Sequence, residues 1–265
     1  MRIAIEGGSL FVKVDEAQQK GAPWLMLSNS IAADHTMWDG QVPLLTKRYN
    51  VLRYDARGHG LSDAPPGPYS FALLVKDIIS ILDHLDIERT SFMGLSLGGM
   101  TALGLALEHP ERLDKLVCCD ARADAPEPFV NSWVERIGLI EKFGLKAILN
   151  GTVERWLVPS FVQSHPDEVA RIEAMIMGTS PAGWIGCAEA LKQLDYLKDL
   201  AAIKVPTLFV AGAEDGGAPL PVMQAMTNAV AGAELVVVPN AAHLSNLDNP
   251  EGFNSAISGF LEVGA

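Results

Sequence analysis

The amino-acid sequence predicts an α/β fold in which helices flank a mostly parallel central sheet and a helical cap is inserted. Short apolar, β-branched segments alternate with segments of helical periodicity, the pattern of a parallel sheet covered on both faces. The alternation breaks once, between about residues 125 and 196, where only helical patterns occur. Because a structureless loop of that length is uncommon in a compact domain, we predict a helical insertion there that acts as a cap.

The predicted elements divide the chain into a core and this cap. Gly7-Gly8 predicts an N-terminal hairpin, the other strands are short apolar runs, and the helices repeat apolar residues at helical spacing. We expect residues 1–124 and 197–265 to form the core and residues 125–196 the cap. In chain order the predicted elements are strands Met1–Ile5, Leu10–Val14, Trp24–Ser28 and Tyr49–Tyr54, helix Phe71–Leu85, strand Thr90–Met93, helix Gly99–Leu107, strands Leu113–Cys119, Thr207–Ala211 and Leu235–Val238, and helix Phe253–Leu261.

Composition narrows the class of protein. The 265 residues are 49% hydrophobic, which excludes a disordered chain, and the net charge of −12 disfavours binding to nucleic acid or anionic membranes. No apolar run approaches the roughly 18 residues of a membrane span, and the first residues lack the apolar region of a signal peptide. Three cysteines are too few for a disulfide framework. We therefore expect a cytoplasmic protein, monomeric or homodimeric, that binds neither nucleic acid nor membrane.

The segment Gly94-Leu95-Ser96-Leu97-Gly98 matches the pattern G-x-S-x-G. It follows a predicted strand and opens a predicted helix, which is the setting of a nucleophilic serine on a tight turn. The flanking glycines have a physical reason, since a side chain there would crowd the serine. The pattern indicates that Ser96 is a catalytic nucleophile.

A serine nucleophile needs a base and an acid that orients the base. In a sheet of this kind the chain order is serine, acid, histidine, and among the six histidines only His243 follows the last predicted strands. Asp215 follows the strand Thr207–Ala211 and is the predicted acid. Glu214, its neighbour, and Asp120, at the end of the strand Leu113–Cys119, remain alternatives.

Hydrolysis through a serine also needs two backbone N–H groups that stabilise the oxyanion. One should come from Leu97, the residue after the nucleophile. The other should come from the loop after the strand Trp24–Ser28, where Ile31 is the best candidate.

At this point the chain resembles the α/β-hydrolase superfamily over essentially its whole length, and Arg57–Asp63 looks like that superfamily's R-G-x-G-x-S loop. Within it, Ser28-Asn29-Ser30, Gly94–Met100 and Ala242–Asn246 are similar to bacterial 3-oxoadipate enol-lactonases. The resemblance implies opening of an enol-lactone in the β-ketoadipate branch of aromatic catabolism, with an acyl-enzyme on Ser96 and neither metal nor organic cofactor. The segment Cys119–Asp124 is more charged than that family's pattern.

The expected lactone carries a carboxylate, which favours an arginine in the binding site. Arg122, Arg136 and Arg155 lie in or beside the predicted cap, and we favour Arg122 because it follows a strand end. The aromatic residues Trp38, Trp133 and Trp184 are further candidates for substrate contact, although each is also a candidate core residue.

Three other functions remain open. A carbon–carbon bond hydrolase of ring-cleavage products and a general carboxylesterase would use the same three residues, and a ligand sensor could keep them with slow turnover. Dehalogenase and epoxide hydrolase activities are disfavoured, because relatives with those activities carry an aspartate where this chain has Ser96.

Overall fold

The computed structural model describes residues 1–264 and contains an eight-stranded sheet. Its order is β1-β2-β4-β3-β5-β6-β7-β8. The pairings of β2 with β1 and β4 are antiparallel, and the other pairings are parallel, which confirms the predicted fold class. The strands are β1 (Arg2–Ile5), β2 (Gly8–Asp15), β3 (Trp24–Ser28), β4 (Asn50–Tyr54), β5 (Thr90–Leu95), β6 (Leu113–Cys119), β7 (Thr207–Gly212) and β8 (Glu234–Val238).

Eleven α-helices occur in the part of the chain that the structure describes. They are α1 (Val42–Leu45), α2 (Phe71–His84), α3 (Leu97–Glu108), α4 (Glu127–Phe143), α5 (Leu149–Trp156), α6 (Pro159–Ser164), α7 (Pro166–Met177), α8 (Pro181–Leu191), α9 (Leu220–Ala229), α10 (Ser245–Asp248) and α11 (Pro250–Leu261). Sequence analysis missed α9, which makes the crossover that the parallel strands β7 and β8 require. It also placed the start of α3 two residues late.

Local chemistry explains the helix boundaries. The Ser70 hydroxyl accepts a hydrogen bond from the Leu73 amide at 3.2 Å and so begins α2. The apolar stripe of α2, which includes Leu74, Ile78 and Ile81, is buried. Helix α3 is buried over most of its surface because it packs against the central strands β3, β5 and β6. The element that follows Ser96 is therefore fixed in the core.

Helices α4 to α8 lie between β6 and β7 in the chain, where the sequence predicted only helices. The two ends of this segment are held together just beyond the carboxyl end of β6. Ala123 O accepts hydrogen bonds from the amides of Tyr196 at 2.7 Å and Leu197 at 2.9 Å, and Asp124 forms an antiparallel bridge with Asp195. Among residues 1–264 no helix is long and apolar enough to cross a membrane.

Candidate active site

Ser96 occupies a sharp turn between the end of β5 and the start of α3. Its φ of 55° and ψ of −115° lie outside the usual regions for a residue with a side chain. The turn closes only because its neighbours lack a Cβ. A Cβ on Gly94 would lie 2.2 Å from Gly98 O, and one on Gly98 would lie 2.3 Å from Ser28 O. The structure thus brings the serine hydroxyl to the carboxyl end of the sheet.

Ser96, His243 and Asp215 lie in one hydrogen-bonded chain. Ser96 Oγ is 2.8 Å from His243 Nε2, and His243 Nδ1 is 2.8 Å from Asp215 Oδ2. Because an ionised carboxylate only accepts, Nδ1 carries the proton and Nε2 is left to accept the Ser96 proton. The second oxygen of Asp215 accepts from the Gly217 amide at 2.7 Å, which fixes the carboxylate.

The two alternative acids occupy different places. Glu214 is exposed. Asp120 is fully buried behind the site, where its Oδ1 accepts from the Gly212 amide at 2.6 Å and its Oδ2 contacts the Ser245 hydroxyl. Asp215 is therefore the carboxylate that contacts His243.

The surroundings of His243 change its proton affinity. Burial opposes the imidazolium, but the charge and hydrogen bond of Asp215 and the charge of Asp120 outweigh burial and raise the pKa of His243. Arg155 acts in the opposite direction. These carboxylates therefore favour the imidazolium form of His243.

Two backbone N–H groups beside Ser96 donate no hydrogen bond within the described residues. Within residues 1–264, neither the Ile31 amide nor the Leu97 amide has a hydrogen-bond acceptor. The two are held near each other because the Gly98 amide donates to Asn29 O at 3.0 Å, which ties the start of α3 to the loop after β3. The pair has the chemistry of an oxyanion hole.

A cavity of about 340 Å³ opens over Ser96 and His243. Its walls come from the loop after β3, from α4, α5 and α8, and from the loop after Asp215. Most of the lining is apolar or aromatic, which suits a small organic molecule. The residues are Ile31, Ala32, Ser96, Met100, Arg122, Pro126, Pro128, Phe129, Ser132, Trp133, Arg136, Thr152, Arg155, Trp156, Trp184, Gly216, Gly217, Ala218 and His243.

The three predicted tryptophans do not share one role. Trp133 and Trp184 line the cavity with their ring centroids 5.4 Å apart. Trp133 Nε1 is buried and lacks a hydrogen-bond partner among the described residues. Trp38 does not line the cavity, because it is completely buried and its indole N–H donates to Asn29 Oδ1 at 3.0 Å. Its predicted contact with substrate is therefore wrong, and it supports the loop that carries Ile31.

The arginines of the cavity also differ. Arg122 lines the cavity, but its guanidinium donates to the backbone and side chain of Asp124 at 2.7 and 2.9 Å. Arg136 lies over the Trp133 ring, 3.6 Å from its centroid, and has no carboxylate within 4 Å in residues 1–264. Burial and repulsion from Arg155 lower the pKa of Arg136, although a guanidinium stays charged at neutral pH. Arg136 donates to Ser132 O and Oγ at 2.9 and 3.1 Å, but unlike that of Arg122 its charge is not neutralised by a carboxylate of residues 1–264 and is available to an anion.

Sequence reasoning missed several cavity residues that carry no motif. Phe129, Ser132 and Thr152 face the cavity only because α4 and α5 are oriented over the sheet. The sequence did offer one signal for the cavity lining, the pair Gly216-Gly217 directly after Asp215. A Cβ on Gly217 would lie 3.4 Å from His243 Nδ1, so a small residue suits this position.

One group of side chains among the described residues is close enough to share a metal ion, namely Asp34, His35 and Asp55. Its polar atoms are already engaged. His35 Nδ1 lies 2.9 Å from Asp55 Oδ1, which also accepts from the His35 amide, and Asp34 Oδ1 accepts from the Thr36 amide. The group does not line the cavity and supports the loop instead.

The sheet order, the turn at Ser96 and the hydrogen-bonded chain of three side chains define a class, the α/β hydrolases. The sequence profile of the alpha/beta hydrolase fold matches residues 23–250, and the chain belongs to this family and is a hydrolase.

Relatives in the family are similar over nearly the whole chain. It is 33% identical over 244 residues to 3-oxoadipate enol-lactonase 2 of Acinetobacter baylyi, covering 92% of this chain and 90% of that protein. It is 38% identical to a hydrolase of Pseudomonas aeruginosa, with a TM-score of 0.94 and coverage of 100% and 98% of the two chains. The enol-lactonase of Burkholderia xenovorans gives 34% identity, a TM-score of 0.95 and coverage of 99% and 100%.

Proposed function

We propose that the protein is a serine hydrolase that opens a small carboxylate-bearing lactone, 3-oxoadipate enol-lactone, in aromatic-compound catabolism. The contact of Ser96 Oγ with His243 Nε2 at 2.8 Å, at the base of a mostly apolar cavity, carries the reaction class. The relatives named as enol-lactonases support the substrate.

The geometry supports an acyl-transfer mechanism. His243 Nε2 takes the Ser96 proton while Oγ attacks the lactone carbonyl, and the amides of Ile31 and Leu97 bind the resulting oxyanion. Collapse of the intermediate breaks the ring ester bond, and the leaving enolate takes the proton from His243 and tautomerises to a ketone. His243 then deprotonates a water molecule, which attacks the acyl-enzyme and releases a carboxylate and free Ser96. No step needs a cofactor.

The cavity also supports the anionic substrate. Arg136 supplies a positive charge that no carboxylate of residues 1–264 neutralises within 4 Å, and the unpartnered Trp133 indole N–H lies beside it. A charge-assisted hydrogen bond between a guanidinium and a substrate carboxylate is stronger than one between neutral groups. We assign Arg136 to the substrate carboxylate, with Trp133 and Trp184 as the apolar and aromatic walls.

We further propose that residues 125–196 act as a cap on a core formed by residues 1–124 and 197–265. Helices α4, α5 and α8 supply the wall opposite Ser96, so the cap sets the shape of the substrate site.

The test is steady-state hydrolysis of 3-oxoadipate enol-lactone and of the neutral ester p-nitrophenyl acetate. We expect kcat/KM on the lactone above roughly 10⁴ M⁻¹s⁻¹. We expect Ser96→Ala to lower it by roughly 10³-fold or more. Activity on the ester without activity on the lactone would keep the serine mechanism and reject the substrate. Wild-type turnover by Ser96→Ala would reject both.

A second variant tests the substrate charge. Arg136→Ala should raise KM for the lactone by about 10- to 100-fold, the value of one hydrogen bond to a charged group. Hydrolysis of the neutral ester should change little. Arg89→Ala is the matched control. Arg89 is exposed and pairs with Asp114 at the amino ends of β5 and β6, whereas the cavity lies at their carboxyl ends. Equal losses on both substrates would contradict the assignment.

A further inference from the structure

A buried corner of the chain at residues 119 and 120 touches all three loops that carry Ser96, Asp215 and His243. Cys119 O accepts from the Ser96 amide at 2.9 Å. Asp120 Oδ1 accepts from the amide of Gly212, three residues before Asp215. Asp120 Oδ2 contacts the hydroxyl of Ser245, two residues after His243. Three segments distant in the sequence thus meet at one carboxylate and its neighbour.

The backbone at this corner adopts a conformation that is unusual for aspartate. Asp120 has a φ of 46°, and its amide donates to Val210 O at 2.9 Å. A non-glycine residue in the left-handed region costs free energy that surrounding contacts must offset. The carboxyl group is also fully buried, and no positively charged side chain among residues 1–264 pairs with it, so its ionised form carries a desolvation cost. Two costs at one residue beside the site motivate a functional hypothesis.

We propose that Asp120 is a positioning residue whose carboxyl group holds the Asp215 and His243 loops in register behind the His243 imidazole. The inference rests on the proposed serine mechanism and adds to it a fourth side chain that does not touch substrate.

The electrostatics agree with this placement. The charged groups that act on His243 are Asp215, Asp120 and Arg155, and those that act on Asp120 are Asp215 and His243. Burial and repulsion from Asp215 raise the pKa of Asp120 to about 8, while the imidazolium and the hydrogen bonds from Ser245 and Gly212 lower it. At neutral pH the carboxyl group is therefore mainly protonated, so it connects the loops through the contacts of Oδ1 with the Gly212 amide and of Oδ2 with the Ser245 hydroxyl rather than through a fixed charge.

Asp120→Ala and Asp120→Asn together test the hydrogen bonds of this carboxyl group. Alanine removes both contacts, so we expect kcat/KM to fall by about 10-fold. An asparagine keeps an acceptor for the Gly212 amide and turns an N–H toward Ser245 Oγ, so the loops stay connected and most of the activity should return.

Ser245→Ala is a further variant and does not depend on the folding of Asp120→Ala. It removes only the contact between Asp120 Oδ2 and the His243 loop, so kcat/KM should fall by a smaller factor than in Asp120→Ala. Ser258→Ala is the control, because that hydroxyl bonds only within α11, to Asn254 O.

The rates should be measured with p-nitrophenyl acetate, which reports on the three catalytic side chains whatever the natural substrate is. Wild-type kcat/KM in Asp120→Ala and Ser245→Ala, or an equal loss in Asp120→Asn and Asp120→Ala, with activity still lost in Ser96→Ala, would overturn the role of Asp120 alone. Full activity in Ser96→Ala would instead overturn the proposed mechanism.

Discussion

The turn at Ser96 leaves no room for a side chain at Gly98. A Cβ at Gly98 would lie 2.3 Å from Ser28 O and 2.8 Å from Ser28 Cβ, so the turn or β3 has to move. Because a displacement of about 1 Å can cost 10²-fold in rate, we expect Gly98→Ala to lower kcat by roughly 100-fold. Kinetics on both substrates would check this.

Gly138 provides the matched control for that substitution. It lies inside α4, and a Cβ there would have no heavy atom within 4 Å. Gly138→Ala should leave kcat unchanged and stabilise the fold by about 0.5–1 kcal/mol, because alanine loses less backbone freedom in a helix. If both alanines had the same effect on kcat, steric crowding at the turn would not explain the first result.

The raised pKa of His243 predicts the direction of the pH dependence. The base must be neutral to accept the Ser96 proton, so kcat/KM should be lost as pH falls through a midpoint above 6.5, the ordinary value for histidine. Asp215→Asn removes the acid that contacts His243, so the midpoint should move lower and the rate should fall by about 10³- to 10⁴-fold. A midpoint at or below 6.5 in the wild type would contradict this electrostatic account.

At the scale of elements, the helical segment is tied to the histidine loop by Asp248. This carboxylate accepts from the Val158 amide, which follows α5, and from the Ala242 amide, which precedes His243. The Leu244 amide adds a bond to Trp156 O at 2.9 Å. The wall of the cavity and the base of the site are therefore positioned together.

Asp248→Ala should break this link. It leaves two amides without their acceptor, which should destabilise the fold by about 1–3 kcal/mol. It should also lower kcat, because the loop of His243 loses an anchor. Thermal denaturation and kinetics would check both effects. Glu141→Ala, at an exposed position of α4, should show neither.

The elements differ in how far the sequence determines them. Strands β3 and β6 were predicted with their observed ends, because buried parallel strands are short apolar runs bounded by turn residues. Helix α9 was missed although its amphipathic pattern and the need for a crossover both pointed to it. Trp38 was misplaced because an aromatic side chain has the same sequence signal in a core and in a binding site.

The residues of the site also differ in how far the sequence determines their roles. Chain order and the ends of strands located Ser96, Asp215 and His243, since a parallel sheet collects its carboxyl ends at one edge. The difference between Arg122 and Arg136 could not be read from the sequence. It depends on which guanidinium contacts a carboxylate in the folded chain, and Asp124 contacts Arg122 but not Arg136.

For the whole molecule, the net charge of −12 opposes the approach of an anionic substrate. Salt screens this long-range repulsion more than the short contact with Arg136, since the Debye length falls from about 30 Å at 0.01 M to about 10 Å at 0.1 M. We expect kcat/KM on the lactone to rise about two- to threefold over that range, and that on p-nitrophenyl acetate to stay constant. A fall with salt would mean that local positive charge dominates the approach.

The hydrogen bonds from Tyr196 and Leu197 to Ala123 have a consequence for how such an enzyme changes its specificity. Because Ala123 contacts Tyr196 and Leu197, the residues between them form a closed loop. The entropic cost of closing such a loop grows only slowly with the number of residues in it. The segment between these residues can be lengthened, shortened or exchanged while the strands on either side keep their register, provided that the contacts of Trp156 with Leu244 and of Val158 with Asp248 are kept. Evolution, or an engineer, can therefore change the substrate site within this segment and inherit the catalytic residues.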